Sequence, residues 1–270
     1  MNDRLLTWEE AVSWLRQQPE LGELIKSCFY DDPLLDAAKR YYYSTEWTEV
    51  SHYLKGYSGM ALDIGAGRGI ASYALARIGF RVVALEPDPS RLVGAGAIRS
   101  LADEENLSII VEENWAEKLP FADATFDVVH ARQVLHHARD LGKLCAESAR
   151  VLKRNGLFIA TREHVISRRE DLKIFLDNHP LHNLYGGEHA YLLHEYIDSI
   201  KSAGFNISKV LNPMESNINL FPDTLMTARS RIAKRTHVPN FMIPEVALKI
   251  YGRLINIPGR LYSFVAVKKG

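Results

Sequence analysis

The run Ala61-Leu62-Asp63-Ile64-Gly65-Ala66-Gly67-Arg68-Gly69 constrains this chain more than any other stretch. An apolar strand ends in a carboxylate, turns through three glycines in five positions and enters the amphipathic run 70–78. Glycine permits positive φ and close backbone approach, and a helix that starts at such a turn presents unpaired N–H groups to a ligand. The stretch therefore predicts strand, turn and helix with a ligand site at the corner. Spacing discriminates between ligands. A dinucleotide fingerprint G-x-G-x-x-G starting at Gly65 needs glycine at position 70, where this chain has Ile70. A nicotinamide-dependent oxidoreductase is disfavoured on that ground.

From Met60 onward strand-like and helix-like patterns alternate, the signature of a parallel sheet covered on both faces. A second strand over 81–85 ends at Glu86, 21 residues after Gly65. In an open α/β sheet the ligand lies beyond the carboxyl ends of the strands, so Glu86 is expected beside the glycine turn, where a carboxylate can accept from a ribose diol. A third strand is expected over 107–111. The run Asn114-Trp115-Ala116-Glu117-Lys118-Leu119-Pro120-Phe121 follows, and Phe126-Asp127-Val128-Val129 opens a fourth strand leading to His130 and to Leu135-His136-His137.

These three motifs, in this order and spacing, resemble those of the class I S-adenosylmethionine-dependent methyltransferases, in the branch that acts on quinones and other small molecules. The resemblance covers about residues 58–211 and the last strand. It implies an α/β fold with a Rossmann-like, seven-stranded, mostly parallel sheet, the seventh strand lying antiparallel between the fifth and sixth. It implies S-adenosyl-L-methionine as cofactor, with Asp63, Gly65, Ala66, Gly67, Glu86, Pro87, Trp115, Ala116, Glu117 and His130 around it. Asn114 and Trp115 stand where the family has Gly and Asp. Trp115 either stacks on the adenine or points into the core while the Ala116 and Glu117 backbone reads the base. The Asn-Pro-Pro-Tyr-like sequence of enzymes that modify amide or exocyclic amino nitrogens is absent after the fourth strand, which argues against that chemistry; the expected methylated atom is oxygen.

The fifth strand, 157–161, ends at Arg162-Glu163-His164. Ionisable groups at a strand end of the ligand face are candidates for substrate chemistry. Methyl transfer requires chiefly orientation and exclusion of water, but a hydroxyl acceptor is helped by a base, and histidine suits that role near neutral pH. His164, with Glu163 beside it, is the candidate catalytic pair. The window 164–194 holds five of the ten histidines, but the step from 189 to 194 does not stack on a helix and no cysteine joins them, so no metal is expected. That window reads as a polar insertion that lines or covers the site.

Outside the core, residues 1–57 carry helical patterning, with Asp31-Asp32-Pro33 as a helix start and an aromatic run from Tyr41 to Trp47 that packs the helices or walls the pocket. This segment is read as a helical extension or lid. About 50 residues separate the sixth strand from the last one, 261–267, and this insertion, 212–258, is read as a lid or dimerisation element. With 33 basic and 33 acidic residues the chain has no net field for nucleic acid. The start of the chain has no continuous apolar stretch, and no run reaches the length of a membrane span. Cys28 and Cys145 are too few for a disulfide framework. The expectation is a soluble cytoplasmic enzyme with a small-molecule acceptor, no nucleic-acid partner and a homodimer as one arrangement. The other function left open is a cofactor-binding protein of the same fold without catalysis.

Overall fold

The computed structural model describes residues 5–270, so the first four residues of the N-terminal run lie outside the described residues. Eight strands form one sheet: β1 (Met60–Ile64), β2 (Arg81–Leu85), β3 (Ile109–Glu112), β4 (Phe126–Arg132), β5 (Leu152–Ile166), β6 (Tyr191–Leu192), β7 (Phe205–Leu211) and β8 (Arg260–Lys268). Their order is β3-β2-β1-β4-β5-β8-β7, with β6 against the far end of β5. β1 to β5 run parallel, and β8 lies antiparallel between β5 and β7. The main path thus has the expected seven strands. The eighth arises because β5 does not stop at Thr161: it kinks at Arg162, with φ +61°, shifts register and continues to Ile166, where β6 joins it.

Side chains alternate across the sheet and build two cores. Leu62, Ile64, Val83, Val129 and Phe158 pack with the helices Leu141–Val151 and Leu193–Ser202. Asp140 caps the first of these by accepting the Lys143 N–H at 2.9 Å, as a short polar side chain does at a helix start. On the other face Ala61, Val82, Val128 and Ile159 pack with the helices Leu34–Tyr42, Thr45–Leu54 and Ile70–Arg77. Tyr41 and Trp47 are buried there. The aromatic run therefore belongs to the layer that covers the sheet.

The helix start at 31–33 differs from expectation. Pro33 takes the N-cap position with no side-chain cap, and both aspartates are diverted to arginines: Asp31 to Arg40, Asp32 to Arg16 and Arg68. Ion pairing with guanidinium groups outcompetes capping because each carboxylate gains charge-assisted hydrogen bonds.

Residues 212–258 form the helices Leu225–Thr236 and Glu245–Leu254 over a small core of Met214, Ala228, Ile243 and Leu248. Phe241, Leu254 and Met226 are exposed on this segment. Among the described residues no helix is long and apolar enough to cross a membrane.

Candidate functional site

The carboxyl ends of β1, β2 and β4 converge where the strand order reverses. Register places Asp63 beside Ala84 on β2 and His130 on β4. The turn after β1 holds Gly65 at φ +60° and Gly67 at φ +53°. A Cβ on Gly65 would stand 2.6 Å from Val134 Cγ2, whereas one on Gly67 would meet nothing nearer than a carbonyl at 3.9 Å. Glycine at 65 thus lets the turn lie against β4, and glycine at 67 leaves its backbone open to a ligand.

Glu86, at the end of β2, is buried and accepts the N–H of Gly67 at 2.7 Å and that of Asp88 at 3.0 Å. Burial pushes its carboxyl up to about 7 against the pull of those two amides. A carboxylate has about four acceptor sites, so capacity remains for two hydroxyls. Asp63 behaves differently. It accepts from Ser72 Oγ at 2.6 Å and from His130 Nδ1 at 2.8 Å, so it ties β1 to the helix Ile70–Arg77 and to β4. The His130 side chain is fully buried behind it and does not reach the cavity wall.

Trp115 is 59% exposed, which removes the reading in which it points into the core. It lies on the cavity rim with the Arg139 guanidinium 5.3 Å from its ring centre, and Glu117 accepts the Arg139 N–H at 3.0 Å. Pro87 and the buried Ala116 border the same rim.

All this opens into a cavity of about 1020 Å³. Its roof comes from two segments distant in sequence. Trp8 comes from the first N-terminal helix and Tyr30 from the loop before the helix Leu34–Tyr42, and Leu181, Tyr185 and Glu188 come from the segment after the helix Asp171–Asn178. Trp8 packs on Tyr185 at 4.6 Å and on Tyr30 at 5.7 Å, and the Leu6 N–H donates to the Leu184 carbonyl. The roof is tied to the glycine turn by Arg68, a buried side chain that donates to the carbonyls of Phe29 and Asp31 and to Asp32.

Glu163 and His164 point apart. Glu163 is fully buried, accepts the N–H groups of Val134 and His136 at 3.1 Å, and holds His136 Nδ1 at 2.7 Å. It does not line the cavity, because the kink at Arg162 turns it toward the 135–137 turn. His164 does line the cavity, and its Nδ1–H donates to the Gly259 carbonyl at 2.8 Å, leaving Nε2 free. Burial and the neighbouring His136 push His164 down to about 3. Burial would also lower His136, but Glu163 and Glu188 outweigh it and lift that ring to about 9.

Residues that sequence reasoning did not place here include Trp8, Tyr30, Arg132, Tyr185 and Glu188. Arg132 is held by Glu46, with Nε to Oε1 at 2.6 Å and Nη2 to Oε2 at 3.0 Å, and Glu46 is itself fully buried. A lone Glu on a helix 86 residues away gives no local signal for that pair.

Residues 62–160, which carry β1 to β5 and the glycine turn, match the family described as a methyltransferase domain. The ubiquinone biosynthesis O-methyltransferase of Azorhizobium caulinodans is 30% identical over 171 residues, 60% of this chain and 66% of that protein. Residues 62–160 are a methyltransferase domain, of the class I S-adenosylmethionine-dependent kind.

The chain spans less than two thirds of that relative. It spans 38% of the uncharacterized methyltransferase YcgJ of Bacillus subtilis, to which it is 33% identical over 98 residues, 36% of this chain. Its fold is shared with geranyl diphosphate C-methyltransferase from Streptomyces coelicolor, with a TM-score of 0.59 at 15% identity over 83% of this chain and 76% of that one. The cyclase SpnF has the same fold, with a TM-score of 0.57 at 20% identity over 86% and 81% of the two chains. S-adenosylmethionine is the cofactor of the family, and the site fits it: Gly67 leaves an open backbone, Glu86 keeps two free acceptor sites, and Trp115 stands at the rim beside Ala116.

Proposed function

We propose that this chain transfers a methyl group from S-adenosylmethionine to an oxygen of a small-molecule acceptor. One observation carries the reading. A single cavity has the glycine turn and Glu86 at one end and the imidazoles of His136 and His164 at the other, under a roof of Trp8, Tyr30 and Tyr185. The cofactor supplies an electrophilic methyl on sulfonium sulfur. What the chain itself must do is hold the acceptor oxygen in line and keep water out. The roof excludes water. His164 Nε2, unprotonated at neutral pH, accepts a hydrogen bond from an acceptor hydroxyl and orients it. Its low basicity suits orientation better than proton removal. Glu163 acts through His136 and is a positioning residue. Residues 7–30 and 179–188 are read as the lid, since both border the cavity.

Residues 212–258 do not border the cavity. They are read as a self-association face built on Phe241 and Leu254, and light scattering of Phe241→Asp against the parent chain tests it. A parent that is monomeric removes this reading. The free thiols Cys28 and Cys145 suit a reducing compartment, the cytoplasm.

Calorimetry with S-adenosylmethionine, S-adenosylhomocysteine and NAD tests the donor, and mass spectrometry of hydroxylated acceptors incubated with the chain reads the gain of one methyl. Binding of NAD in place of the two sulfur compounds would sink the proposal.

A further inference from the structure

Four imidazoles surround one carboxylate at the acceptor end of the cavity. Glu188 Oε2 is buried with no hydrogen-bond partner. His136 Nε2 lies 3.6 Å from it and His137 Nε2 lies 3.9 Å away, while His179 Nδ1, also buried without a partner, is 3.9 Å from Glu188 Oε1. His164 completes the group: one ligand-capable atom from each of His136, His164 and Glu188 lies within 4.8 Å of the others. These separations are too long for hydrogen bonds and leave three ligand-capable atoms gathered around one point.

The outer atoms of these groups are all anchored. His136 Nδ1 is held by the Glu163 carboxylate at 2.7 Å, and His164 Nδ1 by the Gly259 carbonyl at 2.8 Å. Glu188 Oε1 accepts from Tyr185 Oη at 2.6 Å. In each case one polar atom is fixed from behind and the other is left facing the common centre. Metal-ligating histidines are held in this way, with the second ring nitrogen donating to a carboxylate or a backbone carbonyl. A plain ion-pair cluster would instead close Glu188 Oε2 onto a ring nitrogen.

We propose that His136 Nε2, His164 Nε2 and Glu188 Oε2 bind a divalent first-row transition ion of the zinc class, with its open positions directed into the cavity. Two neutral imidazoles and one carboxylate suit such an ion and not magnesium, which prefers an all-oxygen shell. The ion replaces the proton on His136 Nε2. His137 Nε2, 3.9 Å from Glu188 Oε2, stands next to the site. The histidines come from the 135–137 turn, the extension of β5 and the loop after the helix Asp171–Asn178, and not from the 189–194 pair. His189 stacks on Tyr191 at 4.5 Å, and His194 is exposed. If the methyl-transfer reading holds, the acceptor is one that offers a hydroxyl, phenol or enol oxygen to the ion, and His164 Nε2 orients that oxygen through the ion in place of a direct hydrogen bond.

The test is cobalt titration of the metal-stripped full chain, read by the visible absorption of bound Co²⁺, with zinc competition and with S-adenosylmethionine calorimetry run in parallel. The expected result is one Co²⁺ per chain, displaced by Zn²⁺ and not by Mg²⁺. Glu188→Gln and His164→Ala should each weaken uptake at least tenfold while donor binding and the circular dichroism spectrum stay unchanged. His194→Ala should bind as the parent does. Donor binding without cobalt uptake by the parent overturns the metal site and leaves the methyltransferase reading standing. Equal uptake by the parent and by Glu188→Gln, with the latter folded, overturns the ligand assignment.

Discussion

Glu86 Oε2 accepts the amide of Gly67 at 2.7 Å, so the end of β2 and the turn after β1 are joined by a charge-assisted bond on the floor of the cavity. On the proposed reading the carboxylate has two duties, shaping the turn and offering its remaining lone pairs to a ribose. Glu86→Ala removes both. Hydrogen bonds to charged groups contribute about 1.5–3 kcal/mol, which predicts donor affinity lower by roughly 10- to 100-fold. Calorimetry with S-adenosylhomocysteine checks it, and an unchanged Kd would remove Glu86 from the donor site.

The same carboxyl sets a pH dependence. It titrates at about 7 in the fold and at the ordinary value of 4.5 when exposed, so the folded chain holds its proton more tightly. The stability this gives is fully present below 4.5 and is lost as pH rises through about 7, amounting to about 3 kcal/mol. Glu86→Gln should abolish that component in urea unfolding at a series of pH values. Donor hydroxyls favour the ionised carboxylate, so affinity in the parent should rise through neutrality and that of the Gln variant should stay flat. A parent with pH-independent affinity would contradict the ribose role.

The two glycines of the turn should separate in their effects. Gly65→Ala drives a Cβ to 2.6 Å from Val134 and also carries the cost of positive φ, so the fold should lose stability by about 2 kcal/mol or more. Gly67→Ala has room and carries only the φ cost of about 1 kcal/mol, but its methyl stands where the backbone opens to the donor. Melting temperature should fall more for the first and donor affinity more for the second relative to its stability loss. The reverse order would show that the turn is seated differently.

Glu46 neutralises Arg132 inside the protein. Glu46→Gln leaves that guanidinium buried without its counter-charge, a change that costs about 3–5 kcal/mol, or roughly 10 °C in Tm for a chain of this size. The exposed pair Lys173 and Asp177 is the control, and Asp177→Asn should leave Tm where it was. Calorimetric melting of both variants decides whether the buried pair matters more.

The glycine-turn end of the cavity was legible in sequence because its signals are local. A glycine turn, an acidic strand end and the Leu119-Pro120-Phe121 run each announce themselves within a few residues, and parallel strands bring them together at one edge. The acceptor half was not legible. Glu163 and His164 are adjacent in sequence, yet the kink at Arg162 sends one under the 135–137 turn and the other into the cavity. Nothing in the spelling Thr161-Arg162-Glu163 marks a positive φ on an arginine. The roof is harder still, because Trp8 and Tyr185 meet only after the sheet has placed both segments on one side. The histidine window 164–194 contributes His164 and His179 to the converging rings, and His136 and His137 come from outside it.

The guanidinium of Arg68 has a kinetic consequence. It grows from the turn that cradles the donor, and its hydrogen bonds go to the backbone that carries Phe29 and Tyr30 in the roof. Lifting that part of the roof means stripping those bonds from the turn itself. If the proposed function holds, the turn under the donor and the roof over the acceptor share one latch, and neither moves without the other.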